Sequence, residues 1–153
     1  MKLNKKFQYG LLLVFYLLRS GRTSLDNVAQ NLGLSREFLY QVANQLKRAG
    51  VIVSKKGPGG GYAVVKDMDG DVSSIVALNV LQALGYTNSI VPDNTRAALR
   101  RGTVEQRALA DLIDATSAVL YKALTSLTLQ ETLSLLSTRE VKQMDSATED
   151  AAV

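Results

Sequence analysis

The amino-acid sequence predicts a mainly α-helical protein with one small β-hairpin, and three observations support this. Apolar residues recur at helical spacing over most of the 153 residues. Two short β-rich runs, at 51–53 and 62–65, interrupt that pattern and flank a glycine-rich loop. A capping box at Thr103 and Gln106 precedes the longest periodic run. The expected architecture is a helix-turn-helix with a β-wing, followed by a long helix.

The first helix is expected within residues 1–22. Its lysines precede an apolar run at 11–18, as in a secretory signal, but eight residues cannot span a bilayer. Arg19 and Arg22 follow at once and no cleavage site is evident, so we expect a cytoplasmic protein that has no membrane segment. Helical spacing predicts a buried face formed by Phe7, Leu11, Val14, Phe15 and Leu18.

The next two helices form the helix-turn-helix. Ser24 can cap the second helix, which Gly33 ends, and its inward residues are Val28, Ala29 and Leu32. Ser35 can cap the third helix, at 36–49, with Gly50 as its stop. The inward residues of this third helix are Leu39, Val42, Ala43 and Leu46.

The other face of the third helix is polar. Its long donors and acceptors suit base edges and phosphates in the major groove of double-stranded DNA. We predict that Arg36, Tyr40 and Gln41 read bases and that Lys47 holds a phosphate. The complete predicted contact set of this helix and its cap is Ser35, Arg36, Glu37, Tyr40, Gln41, Asn44, Lys47 and Arg48.

The loop between the two β-rich runs is predicted to be a wing that touches DNA. Its glycines permit unusual backbone torsions, its proline stiffens the turn, and its two lysines supply charge. A nucleotide-binding loop is the alternative, but the spacing of a P-loop and its terminal Lys-Ser or Lys-Thr are missing. The predicted contacts are Lys55, Lys56, Gly57, Pro58, Gly59, Gly60, Gly61 and Tyr62.

Charge is segregated along the chain. Residues 1–66 contain 11 Lys or Arg and 2 acidic residues, a balance of +9. Residues 67–153 contain 7 Lys or Arg and 12 acidic residues, a balance of −5. A basic first half favours a polyanion-binding module. The absence of cysteine and histidine excludes thiolate and imidazole metal sites and His-dependent catalysis. We therefore expect no metal, no cofactor and no enzymatic activity.

The second half begins with an acidic segment at 67–71. It resembles the start of a calcium loop, but Val72 and Leu78 occupy the positions of the required glycine and glutamate, so we interpret it as an acidic turn. An apolar helix is expected at 73–84, closed by Gly85. Residues 86–101 contain Pro92 and lack a clear period, which predicts a loop.

The longest helix is predicted at 104–127 and would reach about 36 Å. Part of its apolar stripe lacks a partner within the chain, and burial against a second copy would cover it. A second capping box at Thr128 and Glu131 opens a short helix, and periodicity is lost from Ser137. The predicted dimerisation residues are Leu109, Leu112, Ile113, Val119, Leu120, Ala123 and Leu127.

Three regions are therefore expected. Residues 1–66 would form a winged helix-turn-helix DNA-binding domain. Residues 67–136 would form a connecting helix, a loop and the dimerisation helix. Residues 137–153 would be a flexible tail.

Residues 1–136 resemble the bacterial winged-helix regulators that include the iron-sulfur cluster regulator IscR, the nitric-oxide sensor NsrR and the cysteine-metabolism repressor CymR. Shared features are Tyr9-Gly10, the turn at 34–35 with Leu39 and Gln41, the segment 46–50 and, above all, the string 57–62. The resemblance implies a dimeric transcription factor. It also implies that the helix starting at Ser35 enters the major groove while the wing lies against the backbone or minor groove.

Two departures limit what the resemblance implies. Many family members carry three cysteines before the long helix that ligate an iron-sulfur cluster, and residues 86–101 contain none. A cluster bound in that manner is not expected. Tyr40 stands where some cluster-binding members place a base-reading glutamate, so their operator sequence does not carry over.

The leading functional hypothesis is a homodimeric, sequence-specific regulator, acting as a repressor on a pseudo-palindromic operator. The alternative is a protein-interaction adaptor that docks a partner enzyme or a polymerase subunit through its acidic half. RNA or single-stranded DNA is a weaker expectation, because the basic face lacks clustered aromatic residues. The sequence leaves open whether an effector exists and whether it is a protein or a small molecule.

Overall fold

The computed structural model describes residues 4–66 and 77–151, except for the side chain of Val141. The described residues confirm a mainly helical fold with one two-stranded sheet. The elements, in chain order, are α1 (Lys5–Ser20), α2 (Leu25–Leu32), α3 (Arg36–Arg48), β1 (Ile52–Lys55), β2 (Gly61–Val64), α4 (Ala77–Ala83), α5 (Asp93–Arg100), α6 (Val104–Ser126) and α7 (Leu129–Ala151).

The first three helices enclose the main core. Each has a polar N-cap: the predicted caps Ser24 and Ser35 begin α2 and α3, and the side chain of Asn4, which was not predicted, caps α1. Complete burial of a leucine or valine stabilises a fold by about 1.5–3 kcal/mol, so this cluster is the main source of stability. Its fully buried side chains include Leu13, Val14, Leu25, Val28, Leu39, Val42 and Leu46.

The connection from the wing to the second half is described only from α4 onward. The predicted acidic turn at 67–71, its calcium-loop alternative and the predicted helix start at 73 lie outside the described residues. Helix α4 packs directly on α1. A Cβ at Gly10 of α1 would stand 3.3 Å from Val80 Cγ1 of α4 and would clash with Leu84, which follows α4, so glycine permits the close approach of the two helices.

The prediction of a loop over the whole of 86–101 was wrong, because α5 occupies Asp93–Arg100. Helix α5 has no buried residue, so its sequence shows no apolar period. Its arginines instead pair with carboxylates of α6. Arg96 Nε lies 2.6 Å from Asp114 Oδ1, and Arg100 contacts both Asp111 and Asp114. These contacts, chiefly the hydrogen bond from Arg100, lower the pKa of Asp114.

The predicted end of the last helix near residue 136 was also wrong. Helix α7 continues to Ala151, although every described side chain from Ser137 onward is exposed. A helix that is exposed all round carries no apolar period. Only its first turns pack on the protein: Leu129 is buried, and Leu133 is half-buried near α1. Within the two described ranges, no helix is long and apolar enough to cross a membrane.

Candidate nucleic-acid interface

The start of α3, the candidate recognition helix, is held by α1. The backbone N–H of Ser35 donates to the hydroxyl of Tyr9 at 2.9 Å, and the Tyr9 ring packs edge-on against Phe38 with 4.9 Å between centroids. Tyr9 is buried, so its hydroxyl has a defined position. The N-terminal end of α3 is therefore fixed from behind by a side chain of another helix.

The outer face of α3 carries the predicted contact residues. Leu39, Val42, Ala43 and Leu46 are buried, as predicted, and turn the opposite face outward. Tyr40 is half-buried. The other predicted contacts of this helix and its cap are exposed: Ser35, Arg36, Glu37, Gln41, Asn44, Lys47 and Arg48.

The Arg36 guanidinium is held by two neighbours. Its Nε lies 2.6 Å from Asp26 Oδ1, and its Cζ lies 5.7 Å from the centre of the Tyr40 ring. An exposed ion pair of this kind contributes about 0–1 kcal/mol, so its main effect is on the direction of the side chain. Sequence reasoning missed Asp26, because its pairing depends on how α2 and α3 cross.

The wing has the predicted tight turn. The backbone N–H of Gly60 donates to the Gly57 carbonyl at 2.9 Å, which closes the turn around Pro58. Lys55 and Lys56 are exposed where the loop begins. The tip residues 57–59 are also exposed, and residues 60–62 are half-buried against the protein.

The wing is bonded to the α1–α2 connection. The backbone N–H of Thr23 donates to the Tyr62 carbonyl at 3.0 Å, and the N–H of Tyr62 donates to the Thr23 carbonyl at 2.7 Å. Arg22 Nη1 also donates to the Gly61 carbonyl at 3.0 Å. Sequence reasoning missed this link, because a single bridging residue has no strand pattern. The bonds fix the base of the wing relative to the helix-turn-helix.

The wing also packs against α3, through strand β1. Burial, and secondarily the charge of Tyr40, raise the pKa of the Tyr62 phenol. The side chains of Tyr40 and Tyr62 both pack against the hydrophobic core. The wing and the polar face of α3 therefore meet in one surface, and both tyrosines belong to the predicted contact set.

The structure divides the predicted dimerisation residues between two faces of α6. Ile113 is only 7% exposed and Leu120 is half-buried, so both pack largely within the protomer. The outward face is apolar and open, with Leu112 63% and Val119 71% exposed. Leu109, Ala123 and Leu127 are exposed as well. Helical spacing adds three outward residues that the prediction omitted: Val104, Ala108 and Ala115.

The residues present do not fit an iron-sulfur cluster. Clusters are held by thiolates, with histidine as the occasional replacement, and the whole chain contains neither cysteine nor histidine. Over residues 4–66 and 77–151, acidic side chains form no group of three that could hold a metal ion. The segment before α6 contributes helix α5 and its ion pairs instead.

Relatives with known sequences or structures resemble the chain over most of its length. CymR of Bacillus subtilis, an HTH-type transcriptional regulator, is 33% identical over 87 residues, which is 55% of this chain and 60% of CymR. IscR of Photorhabdus laumondii is 31% identical over 105 residues, 67% of this chain and 59% of IscR. The solved structure of B. subtilis CymR superposes with a TM-score of 0.69 at 27% identity, covering 88% of this chain and 98% of that one.

The matches to the two curated relatives span about 60% of their length. A family model covers more of the chain: the Rrf2 model, described as an iron-dependent transcriptional regulator, matches residues 3–134. The winged helix-turn-helix, α4, α5 and α6 all lie within that match. On this evidence the chain belongs to the Rrf2 family of transcriptional regulators.

Proposed function

We propose that this protein is a sequence-specific DNA-binding regulator that acts as a homodimeric repressor on a pseudo-palindromic operator, without an iron-sulfur cluster. The observation that carries this proposal is the single surface formed by α3 and the wing. Thr23 and Tyr62 join the wing to the helix-turn-helix through two backbone hydrogen bonds. Helix α3 packs against β1 of the wing, and its outward face carries exposed polar and basic residues.

Charge supports duplex DNA as the partner. Residues 1–66 carry the balance of +9, and the lysines of α3 and the wing are exposed. Each phosphate neutralised by a lysine or arginine releases counterions, which steepens the salt dependence of binding. An adaptor that docks only protein would bind random duplex weakly and with a shallow salt slope, so a salt titration separates the two hypotheses.

Base reading and phosphate binding are assigned to different parts of the surface. Arg36, Tyr40 and Gln41 lie in the first turns of α3, from which a recognition helix reaches base edges. Lys47 lies in its last turn, and Lys55 and Lys56 begin the wing loop. We assign these three lysines to phosphates.

Replacing Gln41 or Lys55 by alanine should have distinct effects. Loss of Gln41 should cost about 1–3 kcal/mol at the operator and little on random duplex, because an amide discriminates bases. Loss of Lys55 should weaken both complexes and reduce the salt slope by about 1. Selection from a random duplex library would supply the operator, and fluorescence anisotropy at several salt concentrations would measure both affinities.

Lys142→Ala is the matched control for Lys55, because Lys142 is an exposed lysine on α7. It removes the same charge and should leave both DNA affinities nearly unchanged. Equal losses for Gln41→Ala on operator and random duplex would contradict the base-reading assignment. An unchanged salt slope in Lys55→Ala would contradict the phosphate assignment of the wing.

The dimer is proposed from the outward face of α6. This face presents Val104, Leu112 and Val119 to solvent, together with the exposed alanines between them. A second copy of the same helix would remove this apolar stripe from water, and two-fold symmetry would match a palindromic site. The proposed repressor would then place two winged helices on one operator.

The purified protein should be colourless and free of stoichiometric iron, even when it is produced anaerobically with iron and sulfide. No side chain of the chain supplies a thiolate or an imidazole to hold a cluster. Its affinity for the operator should also be insensitive to mild oxidants. Absorption spectroscopy and elemental analysis after a chelator wash provide the measurement; retained iron with a visible charge-transfer band would contradict the expectation.

A further inference from the structure

A second polar site lies between α5, the segment that precedes it and α6. A cavity of about 480 Å³ opens there, and Asn88, Arg96, Asp114, Ser117, Ala118 and Tyr121 line it. Cavities of this size accommodate small organic molecules. None of these residues belongs to the DNA surface proposed above or to the open apolar face of α6.

The hydroxyl of Ser117 is a buried polar group of the cavity lining. Its oxygen accepts the backbone N–H of Ile90 at 3.2 Å, and its side chain is only 5% exposed. Other hydroxyls of α6, those of Thr116, Thr125 and Ser126, donate to backbone carbonyls of the helix. Among the described residues, the Ser117 hydroxyl has no such acceptor. It is therefore a buried donor that lines the cavity.

Arg96 is the second underused donor. Its buried Nε pairs with Asp114 Oδ1 at 2.6 Å, and no other described residue pairs with its guanidinium. Asp114 is shared with Arg100, whose hydrogen bond is the main cause of its lowered pKa. One carboxylate therefore faces two guanidinium groups. Arg96 keeps donors available for a further acceptor.

The remaining polar groups of the lining also donate. The side-chain oxygen of Asn88 accepts from Gln82 Nε2 at 3.4 Å, which leaves the amide N–H groups of Asn88 available. Tyr121 also lines the cavity, and no described residue forms a hydrogen bond with its hydroxyl. The cavity thus combines several free donors with one carboxylate that is already engaged.

From this imbalance we infer that the cavity binds a small molecule through a carboxylate group, with Arg96, Ser117, Asn88 and Tyr121 as its donors. A carboxylate supplies acceptors and no donor, and a guanidinium can bind it through two parallel hydrogen bonds. Such a ligand competes with Asp114 for Arg96. Its binding therefore alters an ion pair that joins α5 to α6, the helix that carries the proposed dimer face. The inference extends beyond DNA binding and does not depend on it.

Calorimetric titration of the full-length protein with succinate, without DNA, tests the inference. Saturable binding is expected, with succinamide, the neutral amide analogue, showing none. Arg96→Gln should weaken succinate binding by about tenfold or more, because a charge-assisted hydrogen bond is lost. Arg101→Gln is the matched control: it removes the same charge from the end of α5, outside the cavity lining, and should bind succinate like the wild type.

Tyr121→Phe provides a variant that leaves the ion pairs in place. It removes one donor and keeps the ring, so succinate binding should weaken several-fold while circular dichroism and DNA affinity stay unchanged. The absence of saturable succinate binding to the wild type would overturn the inference. Equal affinity of succinate for the wild type and Arg96→Gln, or equal binding of succinamide, would overturn it as well. Because the succinate titrations contain no DNA, none of these three results bears on the proposed regulatory function.

Discussion

Val119→Asp should convert the protein from a dimer to a monomer and abolish operator binding. Val119 is 71% exposed on the outward face of α6, so the protomer itself should tolerate the substitution. In the dimer, the new carboxylate would be stranded in an apolar contact at a cost of several kcal/mol. A single winged helix makes half of the contacts, so only weak binding to random duplex should remain. Sedimentation and anisotropy measure the two effects.

Thr125→Asp is the control for this substitution. Thr125 is exposed on the same helix, about 120° around its axis from Val119, so the same charge is added outside the apolar stripe. This variant should remain dimeric and bind the operator. Leu120 is a poorer test position, because it packs partly against the core of its own protomer. A wild-type monomer at micromolar concentration with full operator affinity would contradict the proposed assembly.

Gly61→Ala should displace the wing and weaken binding to operator and random duplex alike. Gly61 has φ +119°, and a Cβ there would stand 2.5 Å from the Thr23 carbonyl oxygen. A side chain would therefore be strained and would push against the backbone that pairs with Tyr62. Strained backbone of this kind costs about 1–3 kcal/mol before the loss of the Thr23–Tyr62 hydrogen bonds is counted. The midpoint temperature of thermal unfolding and the DNA affinity should both fall.

Gly59→Ala separates backbone strain from the contact with Thr23. Gly59 also has a positive φ, +69°, but a Cβ there would meet no atom within 4 Å. It should cost less stability than Gly61→Ala and leave the base of the wing in place. If the two variants lost equal stability and equal DNA affinity, the hydrogen bonds between Thr23 and Tyr62 would not be what positions the wing.

The first half of the molecule could be predicted from local patterns. Ser24 and Ser35 are polar caps in front of periodic apolar runs, and the loop at 55–62 lies between two short β-rich runs. Each of these signals is contained within a few residues, so the sequence alone locates the elements. The arrangement of the surface could not be obtained in this way, because the Asp26–Arg36 and Thr23–Tyr62 contacts arise only after the elements have packed.

The second half was harder to predict, because two of its helices leave no local apolar pattern in the sequence. Helix α5 is stabilised by Arg96 and Arg100 at the carboxylates of α6, and the distal part of α7 buries no described side chain. Neither helix shows the apolar period on which the prediction relied. The capping box located helix α6 well. Periodicity alone did not show that Ile113 is buried within its own chain while Val119 faces solvent.

Helix α1 contacts three separate parts of the molecule and couples their positions. The Tyr9 hydroxyl accepts a hydrogen bond from the backbone N–H of Ser35, the N-cap of α3. Gly10 lies against Leu84, which follows α4, and α1 also contacts α7. A displacement of α1 along its axis would carry the Tyr9 hydroxyl with it and tilt α3, the proposed recognition helix. In the proposed function, a change in packing at Gly10 would therefore alter operator affinity without any change in the residues assigned to bases.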